Sequence, residues 1–226
     1  MIKVKRAKEQ FDFYTILHLF QLTGRKAENL EQLLGGIKDL PGSVIYHHTH
    51  LYLQQHLYLS PEPPNDFAYW VTGILQEPTL GEKLESIDTC QFKTIRSLRE
   101  KIISTIKEYL EEQKGKSLRE VPEGQEFHFI RTISFILSTG YQAWDLLEFM
   151  EVLNKISIHS IYFHVFESRI RLEKGINDFS NWISTNLGYD DLAEEIAGLD
   201  PYTYTMEGLR KELIDIIKRW LRAGGK

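Results

Sequence analysis

The feature that most constrains this chain is an internal repeat. An offset of 116 residues brings Phe11 onto Phe127 and Phe13 onto Phe129. The same offset matches Thr23 with Thr139, Gly24 with Gly140, Ala27 with Ala143, Leu30 with Leu146, Ile45 with Ile161, Tyr46 with Tyr162 and His48 with His164. An ordered series of matches over about 100 residues indicates a duplicated module, and repeats decide how every later motif is interpreted.

The repeat continues after a loop that is four residues shorter in the second half. The offset is then 112 residues, and it matches Asn65 with Asn177, Asp66 with Asp178, Phe67 with Phe179 and Trp70 with Trp182. We therefore predict a first copy at residues 1–112, a polar linker at 113–126 and a second copy at 127–226. Two equal units joined in this way commonly pack about a pseudo-two-fold axis.

Each copy shows one apolar alternation followed by helical spacings. Phe127, Phe129, Ile133, Phe135 and Leu137 form an apolar alternation, which predicts a strand in each copy. We expect the two strands to lie near the axis and to pair, and a turn to follow at the Thr-Gly pair of each copy, Thr23-Gly24 and Thr139-Gly140. The remaining spacings are helical, as in Leu30, Leu33, Leu34 and Ile37. The predicted fold is mainly α with minor β (α+β), a tandem duplication.

Polar residues that both copies share are expected to serve the common fold. They are His48, Asn65, Asp66 and Trp70 in the first copy and His164, Asn177, Asp178 and Trp182 in the second. Asn65 and Asn177 each lie directly before a predicted aromatic helix, which is the N-cap position that asparagine favours. We predict a buried histidine bonded to the capping Asp or Asn of the next helix. Contact with a ligand is the alternative role for these eight residues.

Histidines found in one copy only are better candidates for a functional site. The first copy carries His47, His50 and His56, whereas His47 maps onto Phe163 and His50 onto Phe166. These histidines are candidate ligands for zinc or another divalent metal, although the i, i+4 pair of a zinc-binding helix is absent. No cofactor is expected if the histidines are only structural.

Two further features of the first copy have a structural and a functional interpretation. The aromatic residues around Trp70 fit a helix core, or else the wall of a sugar pocket. The rigid segment at residues 60–64, SPEPP, fits a connector, or else a docking surface. We favour the structural interpretation for both.

Charge and motif content narrow the classes of function. The net charge is -5, and residues 1–116 are neutral overall, so the excess of basic residues that nucleic-acid binding requires is missing. No apolar run is long enough to span a membrane. The single cysteine rules out an internal disulfide, and we expect a cytoplasmic protein. The familiar phosphate-loop, nucleophile and metalloprotease motifs are absent, which favours a protein that is not an enzyme.

Ile45, His48 and the Asn65 to Trp70 motif carry a family resemblance. Together with their second-copy counterparts they resemble an uncharacterised conserved domain of bacteria and archaea. The resemblance covers nearly the whole chain and implies no activity, because the function of that domain is unknown. The first copy has the adjacent histidines His47 and His48 of that domain, whereas the second copy has Phe163 in place of the first histidine.

Three functions follow as hypotheses. The first is a non-catalytic interaction or regulatory protein whose partner is a protein, with a homodimer as a further option. The second is a metal-binding protein or metal-dependent enzyme that uses His47, His50 and His56. The third is a sensor of a small ligand such as a sugar or sugar phosphate.

Overall fold

Two long strands form the sheet of the protein. Strand β1 (Phe11–Ala27) and strand β2 (Phe127–Ala143) pair in a two-stranded sheet, which confirms the predicted pairing. The Thr23 hydroxyl donates to the Phe129 carbonyl, and the Arg131 side chain donates to that of Gln21. Residue numbers therefore increase along β2 as the numbers of the facing residues decrease along β1. The strands are antiparallel.

The computed structural model describes residues 4–52, 65–115, 117–168, 176–199 and 204–224. Two compact units are present: the first unit consists of residues 18–133, and the second unit of residues 1–17 and 134–226. Each unit therefore contains part of β1 and part of β2. The predicted boundaries of the two copies, 1–112 and 127–226, describe the sequence repeat and not these compact units. They stay a prediction.

Helices follow the strands in the same order in both units. The first unit contains α1 (Leu30–Asp39), α2 (Gly42–Tyr46), α3 (Asp66–Tyr69), α4 (Pro78–Glu85) and α5 (Ile95–Glu112). The second unit contains α6 (Leu146–Leu153), α7 (Ile158–Tyr162), α8 (Asp178–Trp182), α9 (Asp190–Ala197) and α10 (Met206–Arg222). The fold is mainly α with minor β, as predicted.

Four of these helices continue into a wider π-helical turn. In the first unit α2 runs into His47–Leu51 and α3 into Trp70–Ile74. In the second unit α7 runs into Phe163–Glu167 and α8 into Ile183–Leu187. Such turns are rare and often occur at functional sites, but here they accompany the fold of both units.

The predicted turns at Thr23-Gly24 and Thr139-Gly140 were wrong, since β2 also continues through its Thr-Gly pair to Ala143. Strand β1 continues through both residues to Ala27, and Gly24 adopts a φ of 79° within it. Glycine reaches this left-handed conformation without steric cost, so it permits an irregularity inside a strand as readily as a turn. The amide of Arg25 bonds the Thr23 hydroxyl, which fixes the irregularity.

Apolar side chains form a separate core in each unit. In the first unit, Phe129 packs among Leu33, Ile37, Phe67 and residues of α5, all buried. In the second unit, four buried phenylalanines pack edge-to-face against one another: Phe11, Phe13, Phe149 and Phe179. Each strand end is thus held by aromatic packing against helices.

Candidate functional site

His48 is a buried link between a strand and a helix of the first unit. Its Nδ1 lies 2.6 Å from Oδ2 of Asp66, the first residue of α3. The backbone N–H of Ile130 donates to Nε2 at 3.0 Å. Because Nε2 accepts this bond, the proton of the neutral ring sits on Nδ1 and is donated to Asp66. Both ring nitrogens are therefore engaged.

His164 makes the same contacts in the second unit. Its Nδ1 lies 2.9 Å from Oδ2 of Asp178, and Tyr14 donates its backbone N–H to Nε2 at 2.9 Å. The predicted bond between a buried histidine and the aspartate at the start of the next helix is present in both units. The pair satisfies a strand N–H and sets the position of that helix relative to the strand.

Asparagine and tryptophan also repeat their contacts. The Asn65 side chain caps α3 by accepting a hydrogen bond from the Ala68 N–H, and its amide group donates to the Leu84 carbonyl. Asn177 caps α8 in the same way, and its amide group donates to the Ile196 carbonyl. The indole of Trp70 donates to the Gln125 carbonyl, and that of Trp182 to the Glu9 carbonyl, each at 2.9 Å. All eight shared residues thus have equivalent surroundings, and Trp70 is 3% exposed, in the core.

His47 distinguishes the first unit from the second. Its Nδ1 lies 2.9 Å from the Thr132 hydroxyl, and its ring packs edge-on against Phe20, with centroids 5.2 Å apart. Burial, and to a smaller extent the neighbouring His48, lower the pKa of His47 to about 4, against the opposing charge of Asp66. His47 is therefore a neutral, half-buried group beside an exposed phenylalanine.

His50 is the second histidine specific to the first unit. The Thr49 hydroxyl donates to the Ile45 carbonyl at 2.6 Å, so it accepts from Nδ1–H of His50 at 3.1 Å. The ring of His50 stacks on Tyr46 with an interplanar angle of 10°. Burial lowers the pKa of His50 to about 4. The imidazole is neutral at physiological pH.

Apolar residues take the equivalent places in the second unit. Phe163 and Phe166 replace the two histidines, and both are buried. Phe166 stacks on Tyr162 at 4.8 Å, as His50 stacks on Tyr46. The position of Thr132 is taken by the buried Ile16. The same helix and strand geometry therefore forms with or without the polar groups.

The proposed metal ligands are only partly described. His56 and the segment at residues 60–64 lie outside the described residues. His47 and His50 direct their Nδ1 atoms to different hydroxyls, those of Thr132 and Thr49. Within the described part of the chain, no group of three or more His, Cys, Asp or Glu side chains is arranged to hold a metal ion.

The structure shows a cavity in the first unit that the sequence did not suggest. Its volume is about 340 Å³, and Glu77, Tyr109 and Arg119 border it. The Tyr109 hydroxyl donates to Oε2 of Glu77 at 2.6 Å, and burial raises the pKa of Tyr109 to about 12. These side chains come from distant segments without a characteristic spacing, so no sequence pattern announces them.

Exposed apolar side chains on the strands also escaped the sequence analysis. Phe20 and Leu22 are 53% and 66% exposed on the face of β1 that carries His47. Leu19 and Ile133, which point to the other face, are exposed as well. The sequence does contain a signal of these exposed apolar strand residues, because residues 13–24 and 132–143 include no charged residue and no proline.

The fold and the repeated contacts define an α+β protein with two similarly built units and a histidine cluster in one of them. The chain belongs to a family of unknown function, DUF5752, whose pattern matches residues 8–218. It is also similar to a solved structure described as "The structure of OrfY from Thermoproteus tenax". That likeness has a TM-score of 0.78 and 28% sequence identity, over 95% of this chain and 97% of the other.

Other comparisons add little about function. No curated protein matches the chain. Among the described residues, every helix is too short or too polar to serve as a membrane span. The functional interpretation therefore depends on the geometry of the units.

Proposed function

We propose that the protein is a non-catalytic interaction protein whose binding surface lies on the first unit. This surface, the histidine face, consists of Phe20, Leu22 and His47. The partner is a protein that offers an apolar side chain to Phe20 and Leu22 and a hydrogen-bonding group to His47. Aromatic residues are enriched at such interfaces, whereas charged residues are depleted from their centres.

The observation that carries the proposal is the difference between the two units. His47 and Thr132 form a polar pair at a place where the second unit has Phe163 and Ile16. The second unit folds in the same way, so the polar pair is not needed for the fold. Burying an imidazole costs free energy relative to an apolar ring. Its presence beside the exposed Phe20 supports a role in recognition.

The engaged nitrogens of His48 and His164 support the non-catalytic part of the proposal. A general base needs a free nitrogen within hydrogen-bond reach of the proton that it removes. Here each Nε2 accepts from a strand N–H, and each Nδ1 is bonded to an aspartate. We further propose that the two units descend from one duplicated module, in which these pairs belong to the common scaffold.

Site-specific photo-crosslinking in the native host tests the proposal. Phe20→benzoylphenylalanine is expected to give a crosslinked product with a second protein. The control is Tyr69→benzoylphenylalanine, which places the same photoreactive residue at a helix position that is 48% exposed and is expected to give no crosslinked product. Binding of the identified partner should weaken about tenfold in His47→Phe, the loss of one hydrogen bond to a neutral donor or acceptor. Equal crosslinking at both positions, or none at Phe20, would refute the proposal.

The cavity of the first unit favours a second candidate, a sensor of a small polar ligand such as a sugar or sugar phosphate. About 340 Å³ is within the size range of small-ligand sites, and Arg119 supplies a cation at its border. A ligand that binds the folded protein must raise its thermal stability. We expect stabilisation by a member of this class in the wild type and less in Arg119→Gln; no stabilisation by any member would exclude the candidate.

A further inference from the structure

The cavity of the first unit is bordered by one carboxylate and one guanidinium group. Among the described residues that line it, Glu77 and Arg119 are the two charged ones. Nε of Arg119 lies 3.4 Å from Oε1 of Glu77, which is longer than a normal hydrogen bond between such groups, and Nη1 donates to the Gln76 carbonyl at 2.9 Å. The two side chains thus form a loose ion pair, and together they offer both signs of charge without a net charge.

Tyr109 holds the Glu77 carboxylate in place. Its hydroxyl donates to Oε2 of Glu77 at 2.6 Å, and the tyrosine is only 4% exposed. Burial, together with the bond to Glu77, raises the pKa of Tyr109 to about 12, so the hydroxyl keeps its proton and remains a donor at physiological pH. Lys83 lies over the Tyr109 ring, but its charge is already paired with Glu112 at 3.0 Å.

The second unit builds the same backbone without these polar groups. Glu77 lies directly before α4 and Tyr189 directly before α9, and their backbone angles are nearly equal, with φ -113° and ψ 70° for Glu77 and φ -105° and ψ 72° for Tyr189. Tyr109 and Trp220 occupy the same position in α5 and α10, counted from the first residue of each helix. The rings of Tyr189 and Trp220 contact each other, with centroids 5.6 Å apart. Two aromatic rings therefore replace the bonded carboxylate and hydroxyl, and the fold does not depend on the polar pair.

The size and the charges of the cavity together select a ligand class. At about 30 Å³ for each water, 340 Å³ holds on the order of ten non-hydrogen atoms. A phosphate would be repelled by Glu77, and the border has no surplus of positive charge to offset this repulsion. An uncharged sugar that separates Glu77 from Arg119 would leave both without a charged partner. A zwitterion gives each of them a partner of opposite charge, and charge-assisted hydrogen bonds are roughly twice as strong as neutral ones.

We propose that the cavity binds a free α-amino acid, whose ammonium group lies against Glu77 and whose carboxylate lies against Arg119. The proposal rests on the second candidate function, the sensor of a small polar ligand, and names its ligand class. Leu30, Leu75 and Leu118 also line the cavity and are available to contact the aliphatic part of the side chain of the ligand. The volume accommodates the ammonium and carboxylate groups, the α-carbon and a side chain of about five atoms.

A thermal-shift screen of the purified chain with each common L-α-amino acid, at about 10 mM, tests the proposal first. At least one amino acid is expected to raise the Tm. That amino acid is then compared by isothermal titration calorimetry with its amide, which lacks the carboxylate, and with its N-acetyl derivative, which lacks the ammonium group. Each derivative should bind the wild type at least about tenfold more weakly, because one bond between charged groups is lost.

Two variants test which side chain binds which charge. In Arg119→Gln, the amino acid and its amide should bind with about equal affinity. In Glu77→Gln, the amino acid and its N-acetyl derivative should do so. The matched controls are Arg96→Gln and Glu100→Gln, which break an exposed ion pair of the same unit away from the cavity and should bind as the wild type does. If Glu77→Gln does not fold, the comparison is made in Arg119→Gln, whose side chain is 57% exposed.

The possible failures of this experiment are distinguishable. Stabilisation by a sugar or sugar phosphate, and by no amino acid, overturns the amino-acid ligand and leaves the sensor function in place. No stabilisation by any member of these classes overturns both. Amino-acid binding that is unchanged in folded Arg119→Gln and Glu77→Gln also overturns the proposal, because the ligand then binds elsewhere. None of these results changes the crosslinking expected at Phe20.

Discussion

Replacement of His50 by phenylalanine should make the protein less sensitive to acid. The second unit supplies the template for this change, because Phe166 occupies the same place and stacks on Tyr162 as His50 stacks on Tyr46. His50→Phe keeps the ring and the stacking, and removes the group that titrates. It also leaves the Thr49 hydroxyl bonded to the Ile45 carbonyl.

The size of the effect follows from the pKa of His50. That pKa is about 4 in the folded chain because of burial, and 6.5 in the unfolded chain. Between pH 6.5 and 4 the unfolded chain binds the proton and the folded chain does not, so acid favours unfolding. The stability contributed by the neutral ring is fully present above pH 6.5 and is lost as the pH falls toward 4. Between pH 7.5 and pH 5 this loss amounts to about 2 kcal/mol.

Urea unfolding of the wild type and of His50→Phe, each at pH 7.5 and pH 5, measures this loss. The free energy of unfolding should fall less in the variant, by about 2 kcal/mol. Other groups titrate equally in both proteins and cancel in the comparison. His128→Phe, which replaces an exposed histidine, is the control and should behave as the wild type. Equal pH sensitivity of His50→Phe and the wild type would refute the assignment of a buried, neutral His50.

Two further predictions concern stability and are read from urea unfolding. Gly36→Ala should lower the free energy of unfolding by about 1–3 kcal/mol, because the new Cβ would lie 2.1 Å from the ring of Phe129. Gly35→Ala is the control and should be neutral or stabilising, because its Cβ meets only the end of a flexible arginine side chain. Equal effects of the two changes would contradict the close packing of Gly36 against Phe129. Gln76→Gly should stabilise by about 0.5 kcal/mol, because Gln76 has a φ of 59°, and Gly188 takes a φ of 67° in the second unit. A loss of stability in Gln76→Gly would show that the Gln76 side chain makes a compensating contact.

Much of the fold was predictable because the repeat gave two versions of each element. The alternation of Phe127 and Phe129 indicated a strand, and Asn65 and Asn177 before aromatic helices indicated N-caps. A buried histidine near a capping aspartate was expected to bond it, since buried polar groups are paired. These inferences used local periodicity and the presence of the same histidine and aspartate in both copies, and both signals can be seen in the sequence.

Other features depend on contacts that sequence spacing does not encode. The division of β1 and β2 between the two units arises from where each strand half packs, and an apolar alternation is the same on either side of Leu17 and His18. The turn expected at Thr23-Gly24 failed because glycine with positive φ also fits inside a strand. The Glu77–Tyr109 bond joins residues 32 positions apart and could be found only in three dimensions.

The comparison of the two units separates what the fold requires from what it only tolerates. His48 and His164 each accept a hydrogen bond from a strand N–H, and an apolar replacement would remove that acceptor. His47 and His50 differ in kind, because Phe163 and Phe166 build the same backbone without them. Buried neutral histidines make the first unit sensitive to acid without being needed for its packing. Their effect on stability is therefore unfavourable at low pH. For His47, which lies beside the exposed Phe20, the proposed contact with a partner protein supplies a physical reason.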